Sequence, residues 1–146
     1  MPIYMGFFNK PVVLDRRLHG DVKAKGYEGW IELTGMMYGS HSRSGLDVTV
    51  VKFVDRASAL LAREINGGVP KLVVIAFVGD DGTAFVTHIL RDTVIMRQGL
   101  GGSKWVGHVE KPLEALTLNC STASTNMKDK APDMPRWSLR QTKPPV

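Results

Sequence analysis

The sequence predicts a mainly β domain, an antiparallel barrel or sandwich carrying one short flanking α-helix. Three observations predict it. Apolar and polar residues alternate with period two in several separate segments, the side-chain period of a half-buried strand. The run Leu72 to Val78 is apolar without interruption, as in a strand covered on both faces. A single stretch, Lys52 to Gly68, combines helical spacing of apolar residues with start and stop signals. At 146 residues the whole chain, 1–146, reads as one domain ending in a short basic segment.

Taken in order, "GWIELTGMMYG" (29–39) is rich in β-formers. "LDVTVVKFV" places Leu46, Val48 and Val50 on one face and then switches to Val51 and Phe53, which predicts a bulge. In the helix, Asp55 accepts N–H groups of the first turn, Ala57, Leu60, Leu61 and Ile65 form one stripe, and Gly67, Gly68 and Pro70 end it after about three turns. The expected task of this helix is to roof the outer face of the Leu72–Val78 strand. The competing expectation is that this face meets another subunit. Asp81-Gly82 is a hairpin turn. From Thr83 to Arg97 the even positions Ala84, Val86, Leu90, Val94 and Met96 are apolar, and "GLGGS" (99–103) reads as a mobile hairpin tip. Leu116, Leu118 and Cys120 alternate with Thr117, Asn119 and Ser121, and a last short strand is expected over 135–142.

Composition excludes more than it selects. The single cysteine, Cys120, rules out a disulfide within the chain and a cysteine-based zinc cluster. The apolar N-terminal run has no basic residue before it and is cut by Asn9-Lys10-Pro11, so neither a signal peptide nor stable membrane insertion is expected. The net charge is +5, but the segment from Lys128 onward, with five basic residues against two acidic ones, carries three of those charges. A solvated basic tail fits this better than a nucleic-acid interface, which shows a denser basic stripe interleaved with aromatics. His19, His41, His88 and His108 lack metal-ligand spacing, so no metal and no cofactor are expected. "SHSRS" (40–44) puts hydroxyls around a histidine but reads as a flexible loop without a rigid base or oxyanion hole. No catalytic residue is identified.

"GYEGWIELTGMMYGS", then a variable loop, then "VVKFVDRASALLAREINGG", two strands, a glycine-rich hairpin and "EALTLNCSTAST" together resemble the Hcp family, the tube protein of bacterial type VI secretion. The similarity runs from about Gly20 to Thr142. Its most specific parts are Gly29-Trp30-Ile31-Glu32 and the run Lys52-Phe53-x-Asp55-Arg56-Ala57-Ser58. The first twenty residues and the basic tail are the least similar.

The resemblance implies a β-barrel like that of phage tail tubes. It implies an inner-tube subunit, made in the bacterial cytoplasm and secreted without a signal peptide, that forms homohexameric rings. Such rings stack, meet spike protein, sheath and baseplate, and carry effector proteins in the lumen. Under it, Gly39, Ser40, His41, Ser42, Arg43, Ser44 and Gly45 form a loop that reaches the next ring. Leu72, Val74, Ala76, Phe7 and Phe8 are candidates for the subunit interface, and Thr117, Asn119 and Ser121 for a polar lumen surface. A small-ligand-binding β-barrel is the alternative from another class.

Overall fold

The computed structural model describes residues 1–9, 13–42, 45–65 and 67–127, with the side chains of 40–42 excepted. The strand expected over 135–142 and the basic tail lie outside the described residues. The described residues form nine antiparallel strands: β1 (Ile3–Asn9), β2 (Val13–Leu14), β3 (Ile31–Leu33), β4 (Gly35–Ser42), β5 (Gly45–Phe53), β6 (Lys71–Val78), β7 (Ala84–Val106), β8 (Val109–Cys120) and β9 (Thr122–Met127). One helix, α1 (Ser58–Glu64), lies between β5 and β6, and a 3-10 turn spans Arg16–Leu18.

The ladders divide into two sheets that share strands. In the first, β1 pairs with β2 and β3 along one edge and with β6 along the other, and β6 pairs with β7, which pairs with β9. The second has the order β4-β5-β8-β7. Followed through the β3–β4 junction, the pairing path returns to β1.

Besides the α1 connection from β5 to β6, three corners carry the chain between sheets, and each is tied. At Thr34 the N–H and the hydroxyl both donate to the Val51 carbonyl (2.7 and 3.2 Å). At Asp92 β7 turns through a left-handed backbone (φ 50), a conformation that Asp tolerates better than most residues. Opposite it, Ser121 donates its N–H and hydroxyl to the Arg91 carbonyl (3.0 and 3.2 Å) and places the hydroxyl 3.0 Å from Asp92 Oδ2. The Asp92 corner reverses the faces of β7. Val86 and Leu90 face the core before it, Thr93 and Ile95 after it, and Met96 is exposed, so the expected even-numbered face ends at Leu90.

The core lies between the sheets. Met5, Phe7, Ile31, Leu33, Val73, Ile75 and Leu90 come from one side, and Leu46, Val48, Val50, Leu116, Leu118 and Cys120 from the other. Strand β5 contains no bulge. Its alternation continues unbroken to Phe53, and the inward position after Val50 is filled by Lys52, which is fully buried. The apolar pattern breaks there because the site holds an ion pair. Lys52 Nζ lies 2.7 Å from Glu114 Oε1 on β8, 2.8 Å from Asp55 Oδ1, 2.8 Å from the Phe53 carbonyl and 3.3 Å from Ser58 Oγ. Gln98 on β7 donates to Glu114 Oε2 (3.0 Å) and to the Ser58 carbonyl (3.2 Å).

This network starts α1. Asp55 Oδ1 accepts the Ala57 N–H (2.9 Å) and Ser58 Oγ accepts the Asp55 N–H (2.9 Å), so Asp55 serves the first turn as expected. The helix is two turns long rather than three, and it does not roof β6. Ala57 and Leu61 are fully buried in the main core, with Leu60 and Ile65 packed against its edge. The outer face of β6 is covered instead by the segment before β3. Val22, Tyr27 and Trp30 pack with Tyr4, Ala76 and Val78, and the Tyr27 and Trp30 rings meet edge to face at 5.0 Å.

Two outcomes follow for stability. Lys52→Met strands Glu114 as a buried charge and is expected to cost about 3–5 kcal/mol, whereas Lys52→Met combined with Glu114→Leu costs less than the two single changes together. Denaturant unfolding of the four proteins measures this. Leu61→Ala is expected to cost about 2–5 kcal/mol and Leu60→Ala clearly less, read as thermal midpoints.

Candidate functional site

The outward face of the second sheet mixes polar side chains with exposed apolar ones, Met37 among them. Across it the register aligns Met37, Thr49, Thr117 and Arg97 in one row and Asp47, Asn119 and Val94 in the next. Asn119 Nδ2 donates to Asp47 Oδ1 at 2.9 Å, which holds an amide and a carboxylate flat on the sheet. Thr117 and Asn119 stand here because Leu116, Leu118 and Cys120, one position out of phase, fill the core. Ser121 does not share this face; it sits at the corner beside Asp92.

Within the segment 39–45 the described residues are strand rather than loop. Gly39–Ser42 belong to β4 and Gly45 opens β5, with His41 opposite Leu46 and Ser42 opposite Gly45. A register shift between Tyr38 and His41 absorbs the extra residue. Gly45 has φ 113 and lies so close to the Cys120 carbonyl that a Cβ has no room, which ties the hairpin to the end of β8. Only Arg43 and Ser44 separate the strands, and they lie outside the described residues. "GLGGS" is likewise not a tip. Gly99–Ser103 run within β7 past a second register shift, and the turn falls at Gly107-His108, with Gly107 at φ 64.

Of the interface candidates, Phe7 is a core residue (2% exposed), and Ala76 is covered by the Val22–Trp30 segment (2%). Phe8, Leu72 and Val74 remain half-buried on the outward face of β1 and β6, where Phe8 pairs with Leu72 and packs edge to face on Trp30 at 5.5 Å.

A polar cluster that the sequence pattern did not reveal joins the two sheets. His88 Nδ1 on β7 lies 2.6 Å from the Tyr38 hydroxyl of β4 and 3.0 Å from Thr125 Oγ1 of β9. Tyr38 and Phe77 meet the imidazole edge to face. Burial lowers the His88 pKa to about 4, so the ring is neutral at neutral pH. Thr125 is itself buried, and the contacts pack and orient the imidazole between the two sheets. Burial also pushes the Cys120 thiol up to about 11, which leaves it unreactive. Asp81 caps its own turn, accepting from the Thr83 N–H and hydroxyl at 3.0 and 2.7 Å. Among the described residues no group of three or more His, Cys, Asp or Glu side chains is placed to hold a metal, and no helix is long and apolar enough to cross a membrane.

The same arrangement of strands and helix recurs in solved structures. The Hcp1 protein from E. coli EAEC 042 superposes with a TM-score of 0.69 at 14% identity, over 88% of this chain and 93% of that one. The fold is that of the Hcp proteins. A type VI secretion system effector from Yersinia pestis matches with a TM-score of 0.68 at 14% identity (88% of this chain, 92% of that one). The secreted protein Hcp3 from Pseudomonas aeruginosa matches at 0.63 and 18% (88% and 91%). No family model matches the sequence, and no curated protein matches it at the level of sequence. The Hcp likeness is therefore one of fold, carried across nearly the whole domain.

Within this Hcp fold the His88 cluster has a pH signature. Unfolded His88 takes up a proton near pH 6.5, while folded His88 stays neutral down to about 4. Stability is then lost as the pH falls from 6.5 to 4, by at most about 3 kcal/mol from this group. Asp15 acts in a lower window. Burial raises its pKa, but the hydrogen bonds from Lys71 and the Arg17 N–H outweigh that and hold it below 3.8, so its contribution fades only under more acid conditions. Unfolding curves at pH 6.5, 5.5 and 4.5 are expected to flatten in a His88→Asn variant.

Proposed function

We propose that this chain is a structural subunit of a type VI secretion inner tube. It assembles with copies of itself into hexameric rings, the rings stack, and effector proteins travel in the lumen. The observation that carries this reading is the second sheet. It has two edge strands, β4 and the later half of β7, and an outward face on which Thr49, Thr117 and the bonded Asp47 and Asn119 stand beside Met37 and Val94. Edge strands can extend a sheet from one copy to the next, and hydroxyl, amide and carboxylate groups set between the apolar side chains weaken the adhesion of a passing protein. Likeness of fold to secreted Hcp proteins supports the same conclusion.

In this reading Thr117 and Asn119 face the lumen, Phe8, Leu72 and Val74 add apolar area between neighbours, and the hairpin 39–45 contacts the next ring. The spike protein, sheath and baseplate are the partners beyond the ring. The chain acts without catalysis. A ligand-binding barrel needs a hollow interior, and here the side chains of both sheets meet in one packed cluster.

Light scattering on the purified protein is expected to give about six copies per particle, with a central hole by negative-stain imaging. A monodisperse monomer at micromolar concentration contradicts the reading. Val74→Asp is expected to shift particles toward monomer while keeping the circular dichroism of the fold, because the side chain is only half-buried. Arg43→Glu is expected to leave rings intact and shorten stacks.

A further inference from the structure

Beyond the paired body of the second sheet, β7 and β8 continue alone as a two-stranded arm. Residues 99–112 are exposed throughout. Leu100 is 82% and Trp105 65% exposed, an unusual state for a tryptophan on a regular ribbon. Trp105 pairs with Glu110, so the two side chains share a face. Along β8, Glu110 stands in the same alternation as Glu114 and Leu116. The arm thus carries the core-side face of the sheet outward to where no second sheet opposes it.

A matching concavity lies on the same chain. Helix α1 and the 3-10 turn flank an open cleft of about 230 Å³ lined by Arg17, Leu18, Leu60, Arg63 and Glu64. Its floor is leucine and its rim is cationic. The Arg63 side chain is exposed and has no hydrogen bond or ion pair among the described residues, while Glu64 is turned toward Lys71.

The geometry points to a head-to-tail contact in which Trp105 of one copy fills this cleft on a second copy and Glu110 meets Arg63. The argument rests on size, polarity and reach. The cleft suits one large aromatic side chain over Leu18 and Leu60, and arginines beside it can both cover the indole face and pair with the carboxylate. Glu110 already accepts from Ser103 Oγ at 3.0 Å, which aims it along the arm, and a carboxylate has lone pairs for a further donor. Gln98, two residues before the arm leaves the body at Leu100, is bonded to Ser58 on the first turn of α1. Trp105 stands seven residues farther on, roughly 20 Å at strand rise, which carries it away from its own helix and toward a neighbour. The contact is heterologous, as a ring or a stack requires.

This inference rests on self-assembly, and the experiment separates the two. Sedimentation velocity across a concentration series is run on the full chain and on the variants Trp105→Ser, Glu110→Arg, Arg63→Glu, and Glu110→Arg combined with Arg63→Glu. All three sites are exposed, so unchanged thermal midpoints are expected. Each single variant is expected to weaken association at least about tenfold, and the charge swap is expected to recover most of the loss. A parent protein that stays monomeric overturns both self-assembly and this contact. A parent that assembles, with Trp105→Ser assembling equally well, overturns the contact alone. Single charge variants that weaken association without recovery in the swap overturn the pairing of Glu110 with Arg63.

Discussion

The buried ammonium of Lys52 is the constraint on which the rest of the structure depends. A charge with no solvent exposure is tolerable only when its acceptors arrive together, and here they come from β8 (Glu114) and from the start of α1 (Asp55 and Ser58). Gln98 extends the set to β7. Partial assembly leaves a charge unpaired in a low-dielectric interior, so β5, β8, β7 and the helix are required to dock as a unit. The network adds less to net stability than to uniqueness: an apolar set of the same volume could hold the strands, but it would not dictate where the helix begins.

A second lysine fixes the other end of the helix. Lys71 Nζ lies 2.8 Å from Asp15 Oδ2, 3.7 Å from Glu64 and 3.0 Å from Asn9 Oδ1. Asp15 in turn starts the 3-10 turn by accepting the Arg17 N–H at 3.0 Å. A two-turn helix is too short to persist by its own hydrogen bonds, and this one is held by a cation at each end and by Ala57 and Leu61 between them. Its position at the end of the core, rather than over β6, follows from where Lys52 and Lys71 stand.

These same residues mark the limit of what the sequence revealed. The strands, the Asp81-Gly82 turn, the single helix and the alternation Leu116, Leu118, Cys120 were legible because apolar periodicity reports directly on burial. Four features were not. Lys52 at an inward position looked like a bulge, since pattern reading takes a lysine as outward. The corner at Asp92 reverses the faces of β7 and can be recognised only from its φ angle and from Ser121, 29 residues away. The strands on either side of Arg43-Ser44 looked like loop because serine and glycine carry weak β signals, although ladder pairing extends through Ser42 and Gly45. The His88 cluster was hidden for a simpler reason. Tyr38, His88 and Thr125 are separated by 50 and 37 residues, and only the pairing of β7 with β9 and the approach of β4 to β7 bring them together.

The polar outward face and the exposed arm make opposite demands on one sheet, and the interior network reconciles them. Along β8 the outward positions Thr117 and Asn119 suit a surface that other proteins pass, whereas Glu110 and its partner Trp105 suit a surface that binds. The change of character occurs just beyond the positions where Gln98 and Glu114 are tied to Ser58, and past them the opposing sheet and helix end. Because Ser58 also opens the helix that carries Leu60 and Arg63, the base of the arm and one wall of the cleft are anchored to the same three side chains. In the proposed contact, the angle between successive copies is therefore set inside each copy, by the geometry around Lys52. A surface tryptophan on a free ribbon would meet its neighbour at many angles. One whose ribbon is bonded to the helix beside the cleft presents a single direction, which is what a repeating assembly requires of each of its members.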